Sequence, residues 1–249
     1  MKSLTSRIAL CVLTLALSGA PSLATAQAAG PYSSYYGYRP QYFVGGSIGT
    51  SIFPDETGTT AGWLNSTYTA ATPLAPGDYI ATAATQDYAD FGAKAYAGAW
   101  ITPNVGFEVG FASLGRIGWS AFSTNSTGSF AVGISGTVAP HAWYESLLFG
   151  VDTLGFRVFV KAGAYQASTD LEAGSFNYAT GVASGGSEAV HNSGALAGLG
   201  MVSFFGRTAI RMEVEDYINV GDSSMPPTSP IPPWRGNIVL ITIGAAYLF

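Results

Sequence analysis

Hydrophobic and polar residues alternate along most of this chain with a period of two. In Gln41–Phe53, QYFVGGSIGTSIF, residues Tyr42, Val44, Ile48 and Ile52 fall on one parity. Gly45, Ser47, Gly49 and Ser51 fall on the other. This is a strand with one greasy face and one small or polar face. The pattern returns at about Phe91–Trp100, from Val105 onward, and in a fourth segment that starts as early as Phe130 and reaches Phe149. Further segments run over Phe156–Gln166, Gly194–Phe205, Thr208–Ile218 and Asn237–Phe249. Eight strands are therefore predicted. Their connections alternate between tight ones (101–104, 150–155, 206–207) and long ones (54–90, 116–137, 167–193, 219–236). Several long loops are rare in a compact soluble domain, whereas outer-membrane barrels join short periplasmic turns to long extracellular loops. The fold class expected is all-β: an eight-stranded antiparallel up-and-down transmembrane β-barrel with long extracellular loops.

Composition sharpens this. Only 10% of the 249 residues are charged, against about 25% in ordinary soluble domains. Aromatics reach 13% and glycines number 32. The N-terminus reads as a signal peptide, residues 1–26, with a basic start at Lys2 and Arg7 and the apolar run IALCVLTLAL. Ala24-Thr25-Ala26 provides the cleavage site, with cleavage after Ala28 as the alternative. Cys11 lies in the apolar run, so the mature chain lacks cysteine, which excludes disulfides, cysteine catalysis and thiolate metal sites. Residues 27–40 form a Pro/Gly/Ser/Tyr leader, and 41–249 the barrel. The whole chain has a net charge of −5; losing Lys2 and Arg7 takes it to −7, so nucleic acid is not an expected partner.

The charges test the strand register. With the more apolar parity facing lipid, Lys94, Glu108, Glu145, Arg157, Lys161, Arg211, Glu213 and Glu215 all fall on the opposite parity. A basic side chain facing lipid at mid-bilayer costs about 2–4 kcal/mol, which gives this segregation its reason. An eight-stranded barrel has an interior just wide enough to be filled by side chains. Four bases against four acids would form an interior charge network, since an uncompensated buried charge is expensive.

FGAKAYAGAWITPNVGFEVGFASLG (91–115), AIRMEVEDYINVGD (209–222) and NIVLITIGAAYLF (237–249) resemble strands of the OmpA-like transmembrane barrel family. The resemblance spans roughly residues 41–249, the long loops apart. It implies a Gram-negative outer-membrane location and contact with membrane lipid and lipopolysaccharide. By likeness, Glu108, Lys161, Arg211 and Glu213 sit where the family carries charges that bridge the lumen. Tyr247 and terminal Phe249 look like the family's signal to the barrel-assembly machinery. The peptidoglycan-binding domain that longer members append is not seen in the sequence.

Other signals have plainer readings. His191-Asn192-Ser193 could pair a base with a nucleophile, as in outer-membrane lipid A deacylases, but it is expected in a Gly/Ser-rich loop ahead of the sixth strand. His141 is expected inside the barrel beside Glu145. PPTSPIPPW (226–234) reads as a stiffened loop. The glycine-rich GGSIGTS opens no helix, which argues against a phosphate cradle. No catalytic residues, metal ligands or cofactor are expected. The reading is a monomeric barrel with a structural or surface-interaction role, its loop partner unspecified. A narrow pore gated by the interior charges and a lipid A deacylase are the alternatives.

Overall fold

The computed structural model describes residues 40–71, 78–127, 130–153, 155–222, 232 and 234–249. The expected signal peptide, nearly all of the expected leader and most of PPTSPIPPW lie outside them. Among the described residues there are ten strands and one helix: β1 (Gln41–Ile52), α1 (Thr57–Ala71), β2 (Ile80–Gln86), β3 (Ala89–Trp100), β4 (Val105–Ser113) and β5 (Ile117–Asn125). They continue with β6 (Ala131–Thr153), β7 (Phe156–Asn177), β8 (Val182–Phe205), β9 (Thr208–Asp222) and β10 (Trp234–Leu248).

Eight of these strands close a ring. β1 pairs with β3, β3 with β4, β4 with β6, and β6 through β10 pair in succession. β10 then returns to β1 through a ladder from Phe43↔Leu248 to Ile52↔Val239. All pairings are antiparallel, so no ladder edge is left within the ring, as a bilayer demands. Closure reaches the last residue: the Phe249 amide donates to the Tyr42 carbonyl at 3.0 Å.

The tight turns gather at one end. At 101–104 the Thr102 hydroxyl accepts from the Val105 amide at 2.9 Å, and the Asn104 side-chain amide donates to the Gly150 carbonyl at 2.8 Å. Gly206 takes a left-handed φ of 63° between β8 and β9, a conformation that glycine adopts without strain. Short turns mark the periplasmic end of such barrels.

The opposite end departs from the predicted loops. A membrane strand needs about 9–11 residues, yet β6, β7 and β8 have 23, 22 and 24. Roughly half of each stands beyond the bilayer. β2 and β5 join them, giving the order β2-β5-β6-β7-β8 above the ring. The stretches 54–90, 116–137 and 167–193 therefore hold a helix, two extra strands and an extended hairpin. The helix escaped a pattern reading because TGTTAGWLNSTYTAA is rich in Thr and Gly, poor helix formers. Packing stabilises it instead. Leu64 is fully buried, and the Tyr68 ring lies 4.8 Å from that of Phe130. At its start the Asp55 carboxylate accepts from the Thr57 hydroxyl and amide, which hold its carboxyl below the ordinary range.

The outward face of the ring matches the apolar parity. Val44, Ile48, Val109, Val160, Leu199, Ile210, Met212 and Ile243 are all exposed. β6 is the exception to the expected register. Trp143, Glu145, Leu147 and Phe149 face outward, while Ala142, Tyr144, Ser146 and Leu148 are buried. Glu145 and His141 are thus corrected from the lumen to the outer face. The three large apolar residues flanking Glu145 outweigh one carboxylate in setting the register, and Tyr144 is needed inside. Glu145 pairs with Val109 and Ala164, both also exposed, within the apolar band. An acid there is costly, though less so than a base. Glu145→Leu should therefore stabilise the folded barrel by up to about 2 kcal/mol, read as a higher urea midpoint in vesicles. An unchanged or lower midpoint would show that Glu145 is not bathed in lipid.

Candidate functional site: a closed ring of charges in the lumen

AIRMEVED supplies the base of the site. On β9, Arg211, Glu213 and Glu215 occupy successive inward positions, and Met212 faces out between two of them. Lys94 reaches them from β3, Glu108 from β4 and Lys161 from β7. All six are buried, between 0% and 5% exposed.

Their contacts form one cycle. Lys94 Nζ donates to Glu215 at 2.8 Å and also to Glu213. Lys161 Nζ donates to Glu108 at 2.6 Å and also to Glu215. Arg211 Nε donates to Glu213 at 2.7 Å, and Nη1 donates to Glu108. Each acid bridges two bases and each base bridges two acids. Three positive charges therefore face three negative ones with no surplus, the condition under which buried ions are tolerated.

Aromatic rings complete the cage. The Tyr144 hydroxyl donates to Glu108 at 2.9 Å, and Lys161 Nζ lies 4.1 Å from the centre of its ring. The Arg211 guanidinium lies 4.6 Å from the ring centre of Phe159 and 4.7 Å from that of Tyr96. Such cation–π contacts strengthen when water is excluded. Glycine makes room for these rings. A Cβ on Gly200 would collide with the Phe159 ring, and one on Gly110 would lie 2.5 Å from the Tyr144 hydroxyl.

Arg157 is buried too, but nearer the periplasmic end and outside the cycle. It pairs with Asp152 at 2.7 Å and stacks 4.3 Å from the centre of the Trp100 ring. Of the eight interior charges expected from sequence, six form the cycle, Arg157 stands apart, and Glu145 is outside. Asp152 was missed because it falls in a hairpin connection, where a charge ordinarily meets solvent.

Oxygens of Glu108, Glu213 and Glu215 come within 4.8 Å of one another, close enough in principle for a metal ion. The Lys94 and Lys161 ammonium groups and the Arg211 guanidinium already occupy that space.

Above the cycle, towards the exterior, the interior turns apolar. Tyr217 packs on Tyr144 and Tyr165 at ring distances of 6.5 and 5.6 Å. Beyond them Ile117, Trp119, Val138, Leu171, Ile238 and Trp234 are buried in the same core as Leu64 of α1. A cavity among Thr60, Gln86, Trp119 and Trp234 measures about 10 Å³, no more than one water needs.

His191-Asn192-Ser193 lies within β8, not in a loop, because β8 begins at Val182. His191 and Ser193 are exposed on its outward parity, while Asn192 ties β8 to β9 by donating to the Asn219 carbonyl at 2.7 Å. Among the described residues no hydrogen bond joins His191 to Ser193 and no carboxylate pairs with the imidazole, so no relay is assembled.

A family model described as the OmpA-like transmembrane domain matches residues 39–249. Among solved structures, Ail, the attachment invasion locus protein of Yersinia pestis, solved in complex with the heparin analogue sucrose octasulfate, is 13% identical at a TM-score of 0.45. That alignment covers 85% of this chain and 100% of Ail. The N-terminal barrel of Pseudomonas aeruginosa OprF is 10% identical, with the same coverage and a TM-score of 0.41. Neisserial surface protein A is 9% identical, again covering 85% of this chain and 100% of that one, at 0.40. The curated proteins contain no match. The matched region takes in the entire ring, and the chain belongs to the OmpA-like transmembrane domain family of Gram-negative outer-membrane barrels.

Proposed function

We propose that this protein is a sealed outer-membrane barrel that carries a folded extracellular platform, and that it works by surface interaction rather than by transport or catalysis. The filled lumen carries this reading. A permeating ion would have to part a cycle in which every charge already has two partners, then cross a buried layer of Tyr, Leu, Ile and Trp. Each of those steps exposes buried charge or an apolar wall to the ion. The energy invested in α1, β2 and β5 falls on the exterior, where a partner can reach them. Membrane lipid and lipopolysaccharide surround the ring, and the chain acts as a monomer. Terminal Phe249, 71% exposed, stands 5.2 Å from the Tyr247 ring and offers the assembly machinery an aromatic handle.

The test is electrical. Purified protein reconstituted in planar bilayers should give no discrete conductance steps across the physiological voltage range. Reproducible unitary openings, reduced by Lys94→Met, would replace this reading with a gated pore.

A further inference from the structure

β8 forms its backbone ladder with β9 from Leu196 onward. Next to it the Asn192 side chain still bonds β9, donating to the Asn219 carbonyl and accepting from the Gly221 amide. Over Val182–His191 it has β7 on one side and, among the described residues, no strand on the other. Val182–Ala189 is exposed on both faces. Proteins ordinarily blunt such an edge with lysine, proline or a bulge, because free N–H and C=O groups template pairing. Val182–His191, VASGGSEAVH, contains no lysine and no proline, and its ladder with β7 runs without a register shift. Among the described residues this edge is left open.

A second feature borders it. On the outward face of the same sheet, Phe122, Phe176 and Tyr178 are 43%, 41% and 60% exposed. Tyr178 lies 4.9 Å from Phe176 and 6.0 Å from Phe122, ring centre to ring centre, and it covers Gly133. Phe176 pairs with Ala183 on the edge strand. Only that small side chain separates the aromatic cluster from any strand laid along β8.

We infer that the β8 edge is a strand-addition site, which takes an extended polypeptide segment whose alternate apolar side chains rest against Phe122, Phe176 and Tyr178. This rests on the reading of the exterior as an interaction platform and names its partner's chemistry. Backbone pairing supplies affinity in this mode, and pockets for alternate side chains supply specificity. A second copy in the same membrane does not fit. Its two-fold axis would run along the membrane normal, and strands tilted by about 40° would then cross at roughly 80° instead of lying side by side. The occupant of this proposal is a separate polypeptide outside the cell.

The experiment pans a phage-displayed random twelve-residue peptide library against the full-length protein in lipid nanodiscs, followed by binding of the enriched sequences as synthetic peptides. Enriched peptides should alternate apolar and polar residues. N-methylation of alternate backbone amides should weaken them at least tenfold. Ala183→Lys with Ser187→Lys, and separately Tyr178→Ala, should do the same in protein that still shows the heat-dependent gel shift of a folded barrel. No enrichment over empty nanodiscs, or affinity unmoved by N-methylation or by the β8 lysines, would overturn the inference. A conducting barrel would sink the sealed-lumen reading while leaving this result intact, so the two failures are distinguishable.

Discussion

Arg211→Glu is expected to cost the barrel more than about 5 kcal/mol, because removing one partner of a buried pair alone costs about 3–5 kcal/mol. The substitution does more than remove a partner. Arg211 bridges Glu108 and Glu213, so both acids lose one of their two bases. The new carboxylate then makes four acids against two bases in a space sealed from water. Little relief is available from the surroundings, since Tyr96 and Phe159 pack against the same site with their rings. Urea unfolding in lipid vesicles, followed by tryptophan fluorescence, should show a much lower midpoint, and part of the chain should fail to reach the heat-modifiable form. The charge swap Arg211→Glu with Glu213→Arg restores three acids against three bases on neighbouring inward positions of one strand. It should recover a substantial part of the loss, as coupled partners do in a double-mutant cycle. A swap no better than the single change would mean that the six groups do not act as one cycle.

The cycle was partly legible in the sequence, and the reasons differ residue by residue. Arg211, Glu213 and Glu215 alternate with Ile210, Met212 and Val214, so one strand declares both faces at once. Lys94, Glu108 and Lys161 were placed by the same rule, since each sits among small or aromatic residues of the inward parity. What a period of two cannot state is which strand stands opposite which. The links from Lys94 to β9 and from Lys161 to both Glu108 and Glu215 depend on ring closure and strand stagger. Glu145 shows the rule failing. Glu145 is expected opposite the more apolar parity, yet it shares its parity with Trp143, Leu147 and Phe149, and the outward face follows those three large apolar side chains. The exterior was least legible. β2 and β5 are short and rich in Ala, Thr and Ser, and α1 has weak propensity, so tertiary packing around Leu64 and Trp119 decides them. The upper half of β8, VASGGSEA, looks like a loop by composition. It is a strand because β7 pairs with it residue by residue up to Asn177↔Val182.

Met212→Arg should also damage the barrel, though less than the reversal of Arg211, even though the residues are adjacent and the new side chain is the one its neighbour already carries. Met212 is 44% exposed on the lipid-facing parity, opposite Met201 on β8 and Ile243 on β10. Every outward neighbour there is apolar, so a guanidinium would find no carboxylate and no water. Depth sets the cost: a base facing the bilayer midplane costs about 2–4 kcal/mol, falling towards zero at the interfaces. Met212 lies four residues from the turn at Thr208, about 13 Å along the strand and about 10 Å in depth once the tilt is allowed for, too deep for the side chain to reach the periplasmic headgroups without strain. The expected result is slower insertion into vesicles, a lower yield of the heat-modifiable form, and a urea midpoint reduced by an amount in that range. Met212→Leu, which keeps the apolar face and the volume, should behave like the parent. The contrast between positions 211 and 212 separates two causes that a single variant would merge. At 211 a base is required because two acids converge on it, and at 212 the same base is excluded because only lipid meets it. If Met212→Arg assembled normally, the inward and outward parities of β9 would be exchanged, and the charge cycle would have to face the membrane.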